Sequence, residues 1–389
     1  MRRVLSLVLA STLLAACAAP SQKSAAVHKT SGQAISASAS TVATSSQPNF
    51  RSHLDQDAVP GPAGLTLQQE VGMVMMVGFK GPATPAVLND WRQRQYGGLI
   101  VVPINQNAGT PGGIRQLIQD VRGAGTHTLL VATNQEGGTV CFTETQVPCM
   151  AGARQVGPQG AAAVEGEMRT MSAGLKALGF DINFAPVADV WDGVHPFMSE
   201  RSYGQNPSIV SQDVASAIAG IHAAGMYAAA KHFPGHGTAD ADSHLSLPLV
   251  SETADTLRSR DWLPFKAAIQ AGVDFVMVAH LNVPALDPAA PTSMSASVMG
   301  TLRKELGYRG VVISDDLQMG ALSPQFPPPA AAVRFLSDGG DMVIVSHDIS
   351  VADAAADAIH AAVLDGTYRR AQLDASVQKL LNLTLKFMP

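Results

Sequence analysis

One short segment, KHFPGHGTADADSH at residues 231–244, contains many side chains that can exchange protons. Its histidines and aspartates alternate with a proline and two glycines, which predict a loop. In an extended loop Asp242 and His244 project to the same side, so the carboxylate can orient the imidazole. A histidine held by a carboxylate suits a proton donor near neutral pH. The alternatives are a metal site and a merely solvated loop, and a solvated loop does not need the Pro-Gly-His-Gly sequence.

A second candidate is the sequence ISDDLQM at residues 313–319, where an apolar run ends in two carboxylates. A fixed carboxylate that faces a proton donor across a cleft can split a glycosidic bond with retention of configuration. One group attacks the anomeric carbon, and the other protonates the leaving oxygen. We predict Asp315 as the nucleophile, while Asp316 fits a structural role as the cap of a following helix.

Short apolar runs alternate with longer helical patterns from about residue 65 onward, which is typical of a parallel sheet covered by helices. Eight such units predict an α/β fold, a (β/α)8 TIM-type barrel that forms a single catalytic domain, with a doubly wound open sheet as the alternative. The predicted strands span residues 75–79, 97–102, 128–134, 182–190, 227–233, 274–280, 310–316 and 342–347. Polar residues fall at their carboxyl ends, where barrel enzymes build active sites, and include Asn134, Glu136, Asp189, Lys231, His232, His280, Asp315, Asp316 and His347.

The segments KHFPGHG and DSH, with SDDL downstream, resemble the single-domain β-N-acetylglucosaminidases of glycoside hydrolase family 3. FAPVADV at 184–190 and ERSYG at 200–204 extend the resemblance, which covers about residues 65–385. It implies a barrel that releases terminal β-linked N-acetylglucosamine with retention and needs no metal or organic cofactor. By position it implies Asp315 as the nucleophile, His244 as the general acid and base, and Asp242 as the partner that orients His244.

The resemblance further implies a set of substrate-binding residues, namely Lys231, His232, Arg201, Asn134 and Asp189. The third strand departs from the family pattern, which is close to DQEGGRVQR, because this chain has NQEGGTVCF at 134–142. Asn134 replaces an aspartate, and Thr139 and Phe142 replace two arginines. Asn134 can still hydrogen-bond a hydroxyl, whereas Phe142 can only stack on a sugar face, so the departures bear on substrate identity or affinity.

The N-terminal sequence has the pattern of an export and anchoring segment. Two arginines precede a short apolar run, Val4–Leu14, and the sequence LAAC that follows resembles a lipoprotein cleavage box ending at Cys17. An ordinary signal peptide is the alternative. The predicted organisation is a signal peptide at 1–16, a lipid on Cys17 that binds the membrane, a disordered Ser- and Ala-rich tether at 17–60 and the catalytic barrel at 61–389.

Two further features bear on the compartment and the partners of the chain. Export permits a disulfide between Cys141 and Cys149, eight residues apart, although two free thiols fit the sequence equally well. The formal net charge is −5, and no basic run lies beyond the extreme N-terminus, so no nucleic-acid partner is expected. We expect a monomer that is anchored to a membrane on its periplasmic or outer side and that binds a carbohydrate.

The favoured function is an exo-hexosaminidase that acts on peptidoglycan fragments or related glycans. A β-glucosidase or a glycoside phosphorylase is the alternative within the family, since a histidine acid places no negative charge against an incoming phosphate. A wall-binding lipoprotein that has lost catalysis is the alternative of another class. The changes around Asn134 favour it slightly, while the intact Asp242, His244 and Asp315 argue against it.

Overall fold

The computed structural model of the protein describes residues 61–107, 109–142, 145–322, 325–384 and 386. The predicted signal peptide, the lipidation site at Cys17 and the tether at 17–60 lie outside the described residues. Within the described ranges, no helix combines the length and the apolar character that crossing a bilayer requires.

Eight parallel strands close into a barrel in the order of the sequence, with β1 paired to both β2 and β8. The closure confirms the predicted barrel and excludes the open sheet. The strands are β1 (Met75–Val77), β2 (Gly98–Ile100), β3 (Leu130–Thr133), β4 (Ile182–Asn183), β5 (Tyr227–Phe233), β6 (Phe275–Val278), β7 (Val311–Asp316) and β8 (Met342–Val345). Every strand residue except Asp315 is buried, because one strand face fills the barrel and the other packs against helices.

The fourth strand is much shorter than the predicted run at 182–190. The Ala185 N–H donates back to the Asn183 carbonyl over 2.7 Å, so the regular pairing of β4 ends at Asn183. The chain returns to β5 at Val187, which forms an isolated parallel bridge with Lys231. The segment after β4 therefore stays alongside β5 without being a regular strand.

Helices surround the barrel, and several pack directly against its strands. The α-helical segments of the described ranges are α1 (Leu67–Met73), α2 (Pro85–Arg94), α3 (Pro111–Ala124), α4 (Ala153–Val156), α5 (Ala161–Leu178), α6 (Pro207–Ala223), α7 (Ala254–Thr256), α8 (Trp262–Gln270), α9 (Ala296–Gly300), α10 (Pro328–Ser337), α11 (Ile349–Leu364) and α12 (Arg370–Thr384). Short 3-10 turns occupy Pro62–Gly64, Pro103–Asn105, Gly157–Gln159, Pro196–Met198 and Thr292–Met294, and π-helical turns occupy Leu257–Asp261 and Thr301–Glu305.

Three of the long helices begin at one sequence signal, a threonine or asparagine followed by proline. The hydroxyl of Thr84 accepts the Val87 N–H over 3.3 Å, and the hydroxyl of Thr110 accepts the Gly113 N–H over 3.1 Å. Asn206 caps α6 in the same way. The cap satisfies a free N–H of the first turn, and the proline occupies a position that needs no N–H. These caps fix where α2, α3 and α6 leave the rim of the barrel.

Candidate active site

Two cavities of about 410 and 420 Å³ lie at the carboxyl ends of the strands and share part of their walls. Asn134, His244, Met277 and Asp315 line both of them. The first, here called the apolar cavity, has an apolar part formed by Ile100, Val102, Phe184, Met277, Met319 and Ile344, and it is also lined by the polar residues Asp316, Gln318, Ser346 and His347. The second, here called the polar cavity, is walled by Glu136, Thr139, Arg201, Lys231 and His232 among others. The predicted nucleophile and the predicted acid therefore face the same space.

Asp315 is the next-to-last residue of β7 and its one partly exposed residue, and its Oδ1 accepts the N–H of Asp316 over 2.9 Å. Burial would raise the pKa of this carboxyl, but the neighbouring His232 and His280 hold the pKa below its ordinary value. Asp315 is therefore ionised at neutral pH. An ionised carboxylate that remains accessible from both cavities is suited to attack an electrophilic carbon.

Asp316 is turned into the structure and holds the rim together. Its carboxylate accepts N–H groups from Gln318 over 3.1 Å and from Ser346 over 3.2 Å, and it also accepts the Ser346 hydroxyl. His347 lies against it, with 3.2 Å between Nε2 and Oδ2. The sequence predicts Asp316 as the cap of a helix. In the structure it caps a turn, so its role is structural, as expected.

Asp242 and His244 form the predicted pair. One oxygen of Asp242, Oδ1, accepts the His244 backbone N–H over 2.9 Å and lies 2.7 Å from Nδ1 of the ring. Burial would raise the pKa of Asp242, but these hydrogen bonds hold the pKa below its ordinary value. The ionised carboxylate assigns the proton to Nδ1, which leaves Nε2 to exchange a proton with a ligand. The His244 side chain is 62% exposed, so a ligand can reach it.

A buried ion cluster forms one wall of the polar cavity. Glu136 binds Arg201 through two hydrogen bonds of 2.7 and 2.8 Å and binds the Lys231 ammonium over 2.6 Å. Burial would raise the pKa of Glu136, but the two cations hold the pKa far below its ordinary value. The predicted sugar-binding residues Arg201 and Lys231 are thus fixed in place by a shared carboxylate.

Sequence reasoning had noted Glu136 as a polar residue at a strand end without giving it a role. The signal was available, because two cations predicted near one site need a counter-charge and Glu136 follows the third strand. Phe197 was missed altogether. Its ring lies 5.0 Å from the Arg201 guanidinium and 6.1 Å from the His244 ring, on the wall of the polar cavity. A lone phenylalanine in a loop carries no sequence signal for such a place.

His232 lines the polar cavity as predicted, but Asp189 does not. Asp189 is fully buried, lines neither cavity, and lies 2.7 Å from Nδ1 of His232. It also accepts the His236 backbone N–H over 2.7 Å. The prediction that Asp189 contacts substrate directly is therefore corrected. Its carboxylate oxygens are occupied by contacts with His232 and His236, and they fix the orientation of the His232 ring.

The loop after β3 carries the residues Asn134 and Phe142, at which the sequence departs from the family pattern. Asn134 lines both cavities, and its Oδ1 has no hydrogen-bond partner among the described residues. Phe142 is only 2% exposed and packs in the core, so it cannot stack on a sugar. Cys141 and Cys149 form a disulfide, with 6.2 Å between their Cα atoms. The disulfide and the buried phenylalanine thus hold this loop in place.

Comparison with known proteins identifies the family of this chain. Residues 66–383 match the model of the glycosyl hydrolase family 3 N-terminal domain. A beta-hexosaminidase of Stenotrophomonas maltophilia is 33% identical over 291 residues, which are 72% of this chain and 85% of that protein. A beta-hexosaminidase of Idiomarina loihiensis is 36% identical over 242 residues, which are 60% of this chain and 72% of that protein.

Solved structures give the same result. A glycoside hydrolase family 3 beta-N-acetylglucosaminidase from Paenibacillus sp. has a TM-score of 0.79 and 35% identity over 82% of this chain, which spans 62% of that chain. A beta-N-acetylhexosaminidase from Beutenbergia cavernae has a TM-score of 0.76 and 28% identity, and the match covers 82% of this chain and 99% of that one. The chain belongs to glycosyl hydrolase family 3 and is a glycoside hydrolase.

Proposed function

We propose that the protein is a retaining exo-β-N-acetylglucosaminidase. In this proposal it hydrolyses a terminal β-linked N-acetylglucosamine through a covalent intermediate on Asp315, with His244 as the general acid and base. The observation that carries the proposal is the common position of Asp315 and His244 on the walls of both cavities. The beta-N-acetylglucosaminidase and beta-hexosaminidase names of the relatives support the choice of sugar.

The first half of the proposed reaction uses protonated His244 and ionised Asp315. A carboxylate oxygen of Asp315 forms a bond to the anomeric carbon while the bond to the glycosidic oxygen breaks. That oxygen takes the proton from Nε2 of His244 and leaves as an alcohol. Asp242 keeps the ring in the correct tautomer and orientation and stays ionised throughout.

The second half reverses these roles. Neutral His244 removes a proton from a water molecule, whose oxygen then bonds to the anomeric carbon. The ester bond to Asp315 breaks, the carboxylate is regenerated, and the sugar leaves with its original anomeric configuration. The acid is an imidazole, and this keeps a phosphate ion possible as the acceptor in place of water.

The two cavities divide the recognition of the terminal sugar. Lys231, Arg201 and His232 can hydrogen-bond hydroxyl groups in the polar cavity. The apolar cavity suits the methyl group of an N-acetyl substituent, because burial of a methyl there removes apolar surface from water. Asn134 borders both cavities and has an oxygen free to accept a hydroxyl proton. We propose peptidoglycan fragments or related glycans as the natural substrate.

The experiment compares 4-nitrophenyl β-glycosides of N-acetylglucosamine and glucose, with the anomer of the first product read by NMR. We expect a preference for the N-acetyl sugar, release of the β-anomer, and liberation of N-acetylglucosamine from peptidoglycan fragments. A preference for glucose would identify a β-glucosidase. Formation of a sugar phosphate that requires added phosphate would identify a phosphorylase. Release of the α-anomer would contradict the covalent intermediate.

A second arm tests His244. Cleavage of an activated aryl glycoside needs little protonation, whereas cleavage of a sugar–sugar bond needs a great deal. His244→Ala should therefore lower kcat on a disaccharide by about 10²-fold or more and affect the aryl substrate far less. The matched control is Leu245→Ala, which truncates the exposed neighbour of His244. Equal losses on both substrates would mean that His244 binds substrate without donating a proton.

A further inference from the structure

The loop that carries Asp242 and His244 rests on the segment that directly follows β7. The Gly320 N–H donates to the His244 carbonyl over 3.2 Å, and the Ala321 N–H donates to the Ser243 carbonyl over 3.2 Å. The proposed acid is thus attached, through its own main chain, to the part of the chain that begins at the proposed nucleophile. These two main-chain hydrogen bonds take no part in the proposed bond-breaking and proton-transfer steps.

The contact depends on a glycine at position 320. A Cβ atom there would lie 2.7 Å from the His244 carbonyl oxygen and 2.9 Å from the Leu245 carbonyl oxygen. Both neighbours are main-chain atoms, so neither can yield as a flexible side chain would. Gly320 has no left-handed φ, and an alanine would adopt its backbone conformation without strain. The absence of a side chain therefore matters for close approach alone.

The segment under the loop is firmly joined to β7. The Leu317 N–H donates to the Ile344 carbonyl of β8 over 3.0 Å, and the Met319 N–H donates to the Asp316 carbonyl over 3.0 Å. The Asp316 carboxylate also accepts the Gln318 N–H. The position of Gly320 is therefore fixed by the same strand end that presents the nucleophile.

A second tie holds the loop from the opposite side. His236 lies 3.1 Å from the Ser243 hydroxyl through Nε2, and its backbone N–H is bound by the buried Asp189. Ser243 thus stands between two anchors, one on the β5 side and one on the β7 side. Both anchors therefore constrain the main chain that carries His244.

We propose that Gly320 is a positioning residue, on which the loop docks so that His244 is held at the distance from Asp315 that proton donation requires. This inference rests on the proposed function and names the residue that sets the geometry of its acid. It makes the docked loop the active arrangement. It also links the two halves of the site through two main-chain hydrogen bonds and a steric contact.

The first test is the variant Gly320→Ala, whose added methyl group should push the His244 main chain outward. No proposed catalytic residue is itself substituted in this variant. We expect its kcat on an N-acetylglucosamine disaccharide to fall at least about tenfold, because the proton donor is displaced. The rate on a 4-nitrophenyl glycoside should fall much less, since that leaving group needs little protonation. The control is Gly166→Ala in α5, where an added Cβ meets no atom within 4 Å.

A double variant separates positioning from a general disturbance. If Gly320 acts through His244, Gly320→Ala should cause no further loss in a His244→Ala background. Independent, multiplicative losses would overturn the proposal, and so would equal losses of Gly320→Ala on the two substrates. A wild-type protein that cleaves neither N-acetylglucosaminide would refute the proposed function itself, which is a different outcome.

Hydrogen exchange on the wild-type protein tests the docking without any variant. We expect the amides of Gly320 and Ala321 to exchange slowly, because both donate to the loop. In Gly320→Ala the segment 240–247 should exchange faster than in wild type, while Gly166→Ala should match wild type. Exchange of Gly320 and Ala321 at the rate of unprotected amides in the wild-type protein would overturn the proposal, even if the variant failed to fold.

Discussion

Replacing Glu136 with glutamine removes one negative charge from a buried cluster of three ions at almost constant volume. Arg201 and Lys231 would then lose the carboxylate that they share, in a place where their side chains are only 11% and 3% exposed. Two unit charges 4 Å apart attract by about 4 kcal/mol at an effective dielectric constant of 20, and both contacts here are shorter. Desolvation offsets part of this attraction, and breaking a buried pair typically costs about 3–5 kcal/mol. We expect Glu136→Gln to lower the free energy of unfolding by about that amount.

The loss has a characteristic dependence on pH. The folded protein holds the pKa of Glu136 far below its ordinary value, so the stabilisation is fully present above the pKa of the unfolded chain. It disappears as the pH falls toward the folded pKa. The difference between wild type and Glu136→Gln should therefore be largest near neutral pH and should shrink below about pH 4.

The assay is denaturant unfolding followed by tryptophan fluorescence, at neutral and at acidic pH. The matched control is Glu167→Gln, which removes a carboxylate from the exposed face of α5 and should change the free energy of unfolding by less than about 0.5 kcal/mol. A Glu136→Gln loss below about 1 kcal/mol would refute the reasoning, because it would show that the two cations do not need this carboxylate. So would a larger loss that is the same at both pH values.

Three other changes test the remaining assignments. Asp315→Ala should lower kcat by orders of magnitude with an unchanged circular dichroism spectrum, whereas Asp316→Ala should mainly lower the melting temperature; the reverse pattern would move the nucleophile by one residue. Cys141→Ser should lower the free energy of unfolding by about 2.5 kcal/mol, because the disulfide no longer restricts the unfolded chain across an eight-residue separation. A wild-type melting temperature that does not change when a reductant is added would contradict this. Cys17→Ser should release the protein from membranes in detergent partitioning, and unchanged partitioning would rule out the lipid anchor.

The barrel could be predicted from the sequence because each strand is a short apolar run and the carboxyl ends of the third to eighth strands are marked by polar residues. The fourth strand is the exception, because the Ala185 N–H bonds back to the Asn183 carbonyl within a run that looks continuous in the sequence. Periodicity records burial and cannot record which N–H groups find a partner. The structure supplies that information, and β4 ends at Asn183.

The site could be predicted where residues that act together are close in sequence, as Asp242 and His244 are. Glu136 and Lys231 are far apart in sequence, and their contact exists only once the barrel has closed. Asp189 was misassigned for a related reason. Its place at a predicted strand end suggests a position on the rim of the barrel. In the structure, His232 of β5 and His236 of the following loop both contact its carboxylate, and the sequence does not show which residues are neighbours in space.

The polar cavity has two walls that are held by different kinds of bond. One includes Thr139, two residues before the Cys141–Cys149 disulfide, and the other includes Arg201 and Lys231, which are held by the charge of Glu136 from the same loop. The first wall responds to the redox potential of the solution, and the second responds to acid. The proposed affinity for a terminal sugar then depends on two separate solution variables. An assay in the presence of a thiol reductant would therefore report on an enzyme without the Cys141–Cys149 disulfide, even at a pH at which Glu136 keeps its charge.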